Sequence, residues 1–420
     1  MARTEEIKTF SGCSIDEFEK QKGAKLNYHS CPACGGGDIS MVYSLEGAPA
    51  HSVLLMPTYQ VAVNYPKGNI YLGSCDGCGF ISNYGFEPAL LEYSSHCEES
   101  QGFSPTFNKF HRNLAKQLIE RYNLHNKDIV EIGCGKGEFL TLLCELGNNR
   151  GVGFDPAYIP ERNHSKALGR MRFVRDFYSE KYADIKSDFV CCKMTLEHIH
   201  NVFEFISNVR KGIYKHRDTV VFFQVPDVER VIAEGAFWDI YYEHCSYFSE
   251  KSLVKLFEKC DFEVINTWRD FDNQYLMIEA KCAEDGGKTS FWDEKRTEKN
   301  ENFSKLFENF GIFFKKSIEK WQNFLNDCGE KEKNVVLWGS GSKAAAFLNT
   351  LKLREKIVYV VDINPYRWKT FVPGTGQEII SPEALKEFTP DVVVVMNPIY
   401  KKEVTDTVMN LGLKPFIVTV

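Results

Sequence analysis

DIVEIGCGKGEFL, residues 128–140, reads as an apolar strand, a glycine-rich turn and the start of a helix. Glycines let a backbone take positive φ and approach a ligand closely. In open α/β sheets such a turn lies at the carboxyl end of a strand, where ligands bind. Outward from this stretch, a helix carrying Phe110, Leu114, Leu118 and Ile119 precedes the strand. Strand-like runs follow at 151–154, 172–174, 188–192 and 219–225. Helical segments between them predict a parallel, doubly wound sheet. Runs 262–268 and 274–281 have only a short polar turn between them. That length permits a hairpin and forbids a helical crossover.

Five parallel strands closed by a hairpin are the layout of class I methyltransferases, which residues 105–282 resemble. Glycine loops also serve dinucleotide binders. Glu131 at the start, the wide spacing of Gly133, Gly135 and Gly137, and the closing hairpin favour S-adenosylmethionine. Asp155 ends the next strand, roughly 20 residues downstream, where a carboxylate accepts from both ribose hydroxyls. Asp176 follows the third strand, placed to meet the adenine amine or to cap a helix. After the fourth strand, His198 in Glu197-His198-Ile199-His200 is placed to contact the donor; the spacing is not a metal motif, and positioning or packing is the plainer reading.

Cys31-Pro-Ala-Cys34-Gly and Cys75-Asp-Gly-Cys78-Gly are two matched knuckles. Four thiolates make the closed tetrahedral set of a structural zinc site. Redox disulfides and unrelated cysteines are the rival readings. His51 and His96 are spare ligands that nothing requires. The other ten cysteines, Cys144, Cys191 and Cys192 among them, read mostly as small buried hydrophobes.

FWDIYYEHCSYFS, residues 237–249, follows the fifth strand, whose carboxyl end faces the donor crevice. Methylating carbon needs a base to remove a proton beside a ketone. His244 has a near-neutral side chain suited to that. Tyr241 or Glu243 would hold the substrate or donate to the developing oxyanion. A packed aromatic loop is the plain alternative.

The order CPAC…CDGC, EIGCGKG, YYEHCSYFS, LWGSGSKA and PGT resembles bacterial nucleotide-sugar C-methyltransferases, over about residues 28–420. The resemblance implies a nucleotide-linked keto-deoxysugar substrate. It implies that Tyr241, Glu243 and His244 line the sugar site with His244 as base, and that Tyr93 is a further sugar-site tyrosine. The sequence departs from the family at Cys134-Gly135-Lys136, at Tyr242 and at Met396-Asn397-Pro398.

Residues 335–348 carry a second strand, GxGxxA turn and helix, and 359–364 an acidic strand end. Strands at 391–396 and 415–420 complete a small sheet. Alone this is a dinucleotide fingerprint, which leaves an NAD-dependent oxidoreductase open. The resemblance implies instead that Gly339, Gly341 and Lys343 face the sugar or its diphosphate. Methylation of a sugar oxygen or nitrogen, and donor binding without turnover, also fit these motifs.

The expected fold is thus α/β: a class I methyltransferase Rossmann-like sheet with an N-terminal zinc-binding subdomain and a C-terminal Rossmann-like domain. The expected division is 1–100, 101–284, a helical linker 285–332 with Phe303, Leu306, Phe307, Phe310, Phe313 and Phe314, and 333–420. A net charge of −6 argues against nucleic acid as partner. No apolar run reaches the roughly 18 residues that span a bilayer, and MARTEEIKTF is no secretory signal. A cytoplasmic protein without a membrane partner is expected.

Overall fold

The computed structural model describes residues 25–26, 30–214, 216–284, 291, 309–352 and 354–420. Phe303, Leu306 and Phe307 lie outside these. Within them the chain forms three sheets.

The first is antiparallel: β1 (Lys25–Leu26), β2 (Ile39–Pro49), β3 (Lys67–Cys75) and β4 (Ile81–Asn83), in that order. The second contains the glycine-loop strand, β5 (Asp128–Ile132). It runs on through β6 (Arg150–Phe154), β7 (Met171–Val174), β8 (Phe189–Lys193) and β9 (Val220–Pro226), all parallel. A two-residue strand, β10 (Ser246–Tyr247), leaves this region and pairs with β4 as the fifth strand of the first sheet. The hairpin β11 (Phe262–Asp270) and β12 (Tyr275–Cys282) then closes the second sheet, β12 running antiparallel beside β9. Its order is β7-β6-β5-β8-β9-β12-β11. Phe271, Asp272 and Asn273 all take positive φ in the turn. β8 is buried throughout, and Cys144, Cys191 and Cys192 are buried as small apolar side chains.

The third sheet comprises β13 (Val335–Trp338), β14 (Ile357–Val361), β15 (Glu378–Ile380), β16 (Val392–Val395) and β17 (Phe416–Thr419). All its neighbours are parallel. β15 is not legible in the sequence: three residues are too short to show a period.

Two crossovers differ from expectation. The segments joining β6 to β7 and β7 to β8 hold only 3₁₀ turns, not helices. Pro156 and Pro160 interrupt the first, and the second lacks a sustained apolar stripe.

One apolar core unites Tyr43 and Leu72 of the first sheet, Phe237, Trp238 and Tyr242 of the loop after β9, and Leu337 and Phe347 of the third sheet region. The helix Phe310–Glu330 inserts Phe310 and Phe314 against Tyr43, with ring centroids 5.8 and 5.3 Å away. Burying each such side chain contributes about 1.5–3 kcal/mol. Three anchors therefore fix the loop after β9 in place. Among the described residues, no helix is long and apolar enough to cross a membrane.

Candidate active site

The glycine turn stands between β5 and the helix Glu138–Gly147. Gly133 has φ of +68°, and a Cβ there would collide with the Thr195 side chain. Gly135 and Gly137 also take positive φ, the latter capping the helix. The buried Glu131 carboxyl accepts from the Leu140 N–H at 2.9 Å, bracing that helix start. Burial pushes its pKa up to about 8, against the pull of Lys193. Asp155 accepts from the N–H groups of Gly135 at 2.8 Å and Ala157 at 2.7 Å. A carboxylate has about four lone-pair directions, so both oxygens keep capacity for hydroxyl donors. Lys136 donates to the carbonyls of Cys97 and Ala157, tying the turn to the N-terminal region. Asp176 starts no helix. Its carboxylate binds Lys181 and the Tyr182 hydroxyl beyond edge strand β7.

The carboxyl end of neighbouring β8 leads through Thr195 into the turn Leu196–His198. The His198 ring lies 4.8 Å from the His244 ring, and His198 Nδ1 lies 3.3 Å from the Tyr93 hydroxyl. His244 Nε2 lies 2.9 Å from the Tyr241 hydroxyl. Tyr93, His198, Tyr241 and His244 therefore meet beside the glycine turn. Burial, the neighbouring His198 and Lys343 together hold His244 well below its ordinary pKa. Its imidazole is neutral at pH 7, which leaves a ring nitrogen able to accept a proton. Burial likewise pushes His198 down to about 4.

Glu243 points the other way. Its carboxylate pairs with His51 Nδ1 at 2.8 Å and accepts from the Ser52 hydroxyl. Burial opposes ionisation, but His51 and Ser52 outweigh it and hold Glu243 below the usual carboxylate range. Burial also works against the His51 cation, and Glu243 outweighs it there, raising His51 to about 10. An ionised carboxylate only accepts hydrogen bonds. Of the two roles expected of Glu243, holding the substrate or donating to the oxyanion, an ionised carboxylate does not suit the second.

His51 contacts Glu243, and Cys97 at 3.6 Å, rather than the four paired cysteines, and His96 is exposed near Glu92. The four sulfurs of Cys31, Cys34, Cys75 and Cys78 stand within 4.8 Å of one another. Cys31 to Cys78 is 3.7 Å and Cys34 to Cys75 is 3.6 Å. Zinc–sulfur bonds of about 2.3 Å set tetrahedral edges of about 3.8 Å, so the set fits that ion. The knuckles dock on the helix Glu250–Lys259, where Lys255 and Lys259 donate to the carbonyls of Gly77 and Cys34.

The second glycine turn approaches the same site. The Ser342 hydroxyl lies 2.8 Å from that of Ser52, to which it donates while Ser52 donates to Glu243, and Lys343 pairs with Asp239 beside the loop. Gly339 has φ of +99°, and a Cβ on Gly341 would meet open space. Asp362, the acid ending β14, accepts from the Ser340 N–H and hydroxyl and the Asn364 N–H. Three internal donors thus hold Asp362, against two on Asp155.

His51, Ser52 and Glu197 are site residues that sequence reasoning missed. Glu197 was visible beside His198, but its burial was not. His51 and Ser52 follow the end of β2, and only the tertiary fold carries them to Glu243.

Residues 107–267 match the family described as a methyltransferase domain. Residues 281–415 match the C-methyltransferase C-terminal domain. The C-methyltransferase NovU of Streptomyces niveus is 24% identical over 311 residues, covering 70% of this chain and 72% of that protein. A solved structure of the Burkholderia thailandensis 1,6-didemethyltoxoflavin-N1-methyltransferase, with S-adenosylhomocysteine bound, aligns at 15% identity and a TM-score of 0.33. It covers 42% of this chain and 80% of its own. The magnesium protoporphyrin IX methyltransferase of Synechocystis PCC 6803 aligns at 16% identity and 0.33, covering 42% and 84%. A methyltransferase domain followed by the C-terminal domain of C-methyltransferases, in an order shared with the expected fold, settles the family: the chain belongs to the S-adenosylmethionine-dependent C-methyltransferases.

Proposed function

We propose that this chain methylates the carbon beside the ketone of a nucleotide-linked keto-deoxysugar. The observation carrying the reading is the meeting of His244, Tyr241, His198 and Tyr93 beside the glycine turn. S-adenosylmethionine supplies an electrophilic methyl group when bound. Glu131, Gly133, Gly135 and Gly137 shape its seat, and Asp155 faces the ribose. Asp176 takes the adenine amine by giving up Lys181, and His198 lies towards the donor. His244 removes the proton. Tyr241 and Tyr93 position the sugar, and Glu243 holds the loop through His51 and Ser52. Gly339, Gly341 and Lys343 face the diphosphate, which competes with Asp239 for the lysine. Zinc on Cys31, Cys34, Cys75 and Cys78 staples the first sheet, and the domains divide near residues 100, 284 and 332.

The test uses nucleoside-diphosphate-linked 4-keto-6-deoxyhexoses in deuterated water with labelled S-adenosylmethionine. The expected outcome is deuterium at the carbon beside the ketone and a labelled methyl on that carbon, read by NMR. A methyl on oxygen or nitrogen, or no exchange, sinks the reading.

Asp155 offers a second check. In Asp155→Asn an amide faces backbone N–H groups, so one partner is lost or repelled. A lost hydrogen bond to a charged group costs about 1.5–3 kcal/mol. S-adenosylhomocysteine binding, measured calorimetrically, should weaken roughly 10- to 150-fold. Undiminished affinity would remove Asp155 from the donor site.

A further inference from the structure

Glu197 is among the most buried charged-type side chains of the chain, at 1% exposure. Neither carboxyl oxygen has a hydrogen-bond partner among the described residues. No lysine or arginine pairs with it there, and its nearest basic atom is His244 Nε2, 4.0 Å from Oε1. That distance is too long for a hydrogen bond. An unpaired buried carboxyl normally costs several kcal/mol, so an unfilled partner is the natural explanation. The groups facing it are His198 of its own turn, and Tyr241, His244 and Cys245 of the loop after β9. Cys192 of β8, Tyr275 of β12 and Tyr93 complete them. None supplies a fixed positive charge.

The spacing suits a carbonyl. Its oxygen lies about 2.4 Å from the carbon beside it, by standard bond lengths. A base about 3 Å from that carbon and an acid about 2.7 Å from that oxygen can stand 4 Å or so apart. Resting on the carbon-methylation reading, we propose that Glu197 is a catalytic acid kept neutral, which donates a hydrogen bond to the ketone oxygen as negative charge develops there. His244 takes the proton from the adjacent carbon. The C–H pair becomes the enolate double bond, and the carbonyl pair moves onto the oxygen facing Glu197. The enolate carbon then bonds the methyl, the sulfur–methyl bond breaks towards sulfur, and the carbonyl re-forms. The products are methylated ketone and S-adenosylhomocysteine, and His244 returns its proton to solvent. Burial is what holds Glu197 neutral: it raises the carboxyl to about 8. A buried acid of this kind can donate to an enolate oxygen at neutral pH.

Three measurements on the full chain test this. Infrared difference spectra of wild type against Glu197→Gln should show a protonated-carboxyl band at pH 7 that is absent from the variant. With the keto-sugar nucleotides and S-adenosylhomocysteine present, Glu197→Leu should exchange deuterium about 10²- to 10³-fold more slowly. Glu197→Gln keeps an N–H donor and should lie between Glu197→Leu and wild type. Wild-type exchange should fall above about pH 8, and in Glu197→Gln that alkaline fall should vanish. A purely structural Glu197 would leave the pH profile in place. Absence of the carboxyl band, or full exchange in Glu197→Leu, overturns the proposal alone. So does a metal equivalent lost in Glu197→Gln. Wild type that exchanges no keto-sugar overturns carbon methylation itself, and this proposal with it.

Discussion

His244→Asn is expected to lower kcat by about 10²- to 10⁴-fold, the range for losing a general base. Asparagine keeps much of the shape and one polar contact to Tyr241, but it cannot take a proton. S-adenosylhomocysteine affinity and the melting temperature should be unchanged. The depressed pKa of His244 fixes the pH behaviour. The group is active when neutral, so its acid limb falls below the ordinary histidine range, and wild-type exchange stays flat from there to neutrality. Deuterium exchange on the keto-sugar nucleotides, with and without the variant, reads both effects. A variant that exchanges at the wild-type rate removes His244 as base. A variant that barely loses methyl transfer points to an oxygen or nitrogen acceptor, where proton removal is easier.

Cys75→Ser is expected to abolish turnover without touching the reacting groups. Cys75 ends β3, and β3 holds β4, which pairs with β10 of the loop after β9. Structural zinc contributes roughly 10–16 kcal/mol of apparent binding free energy to a small fold. Its loss should release β10 and let Tyr241 and His244 drift from the glycine turn. Metal analysis of wild type should give one zinc per chain, and the variant none. Hydrogen exchange should show lost protection in β2, β3 and β10, with β5 and β8 unaffected. An active, metal-free Cys75→Ser protein would rule out zinc as the staple.

Local pattern made the second sheet legible. Residues 189–192 are a continuous apolar run, and 129–132 a run broken only by Glu131, because parallel strands are covered on both faces. The hairpin was legible because a five-residue gap between runs 262–268 and 274–281 is too short for anything else. The missing crossover helices were not, since alternation with strands says nothing of what fills each gap. The knuckles and the aromatic loop were visible as residue types at fixed spacing.

Partnership was not visible. Glu243 and His244 are neighbours in sequence, yet one turns to His51 and the other to Tyr241 and His198. Their charges diverge for that reason: Glu243 has the His51 cation within hydrogen-bond reach, whereas His244 has no ionised carboxylate and Glu197 no cation there. The strand–glycine-turn–helix unit at 128–140 needs only its own residues, because hydrogen bonding and close approach there are local. Which acid is ionised, which base is neutral, and which distant serine or histidine completes the site depend on burial and on contacts between residues up to 290 positions apart, as with Ser52 and Ser342. Those energies exist only once the three sheets have closed around the loop.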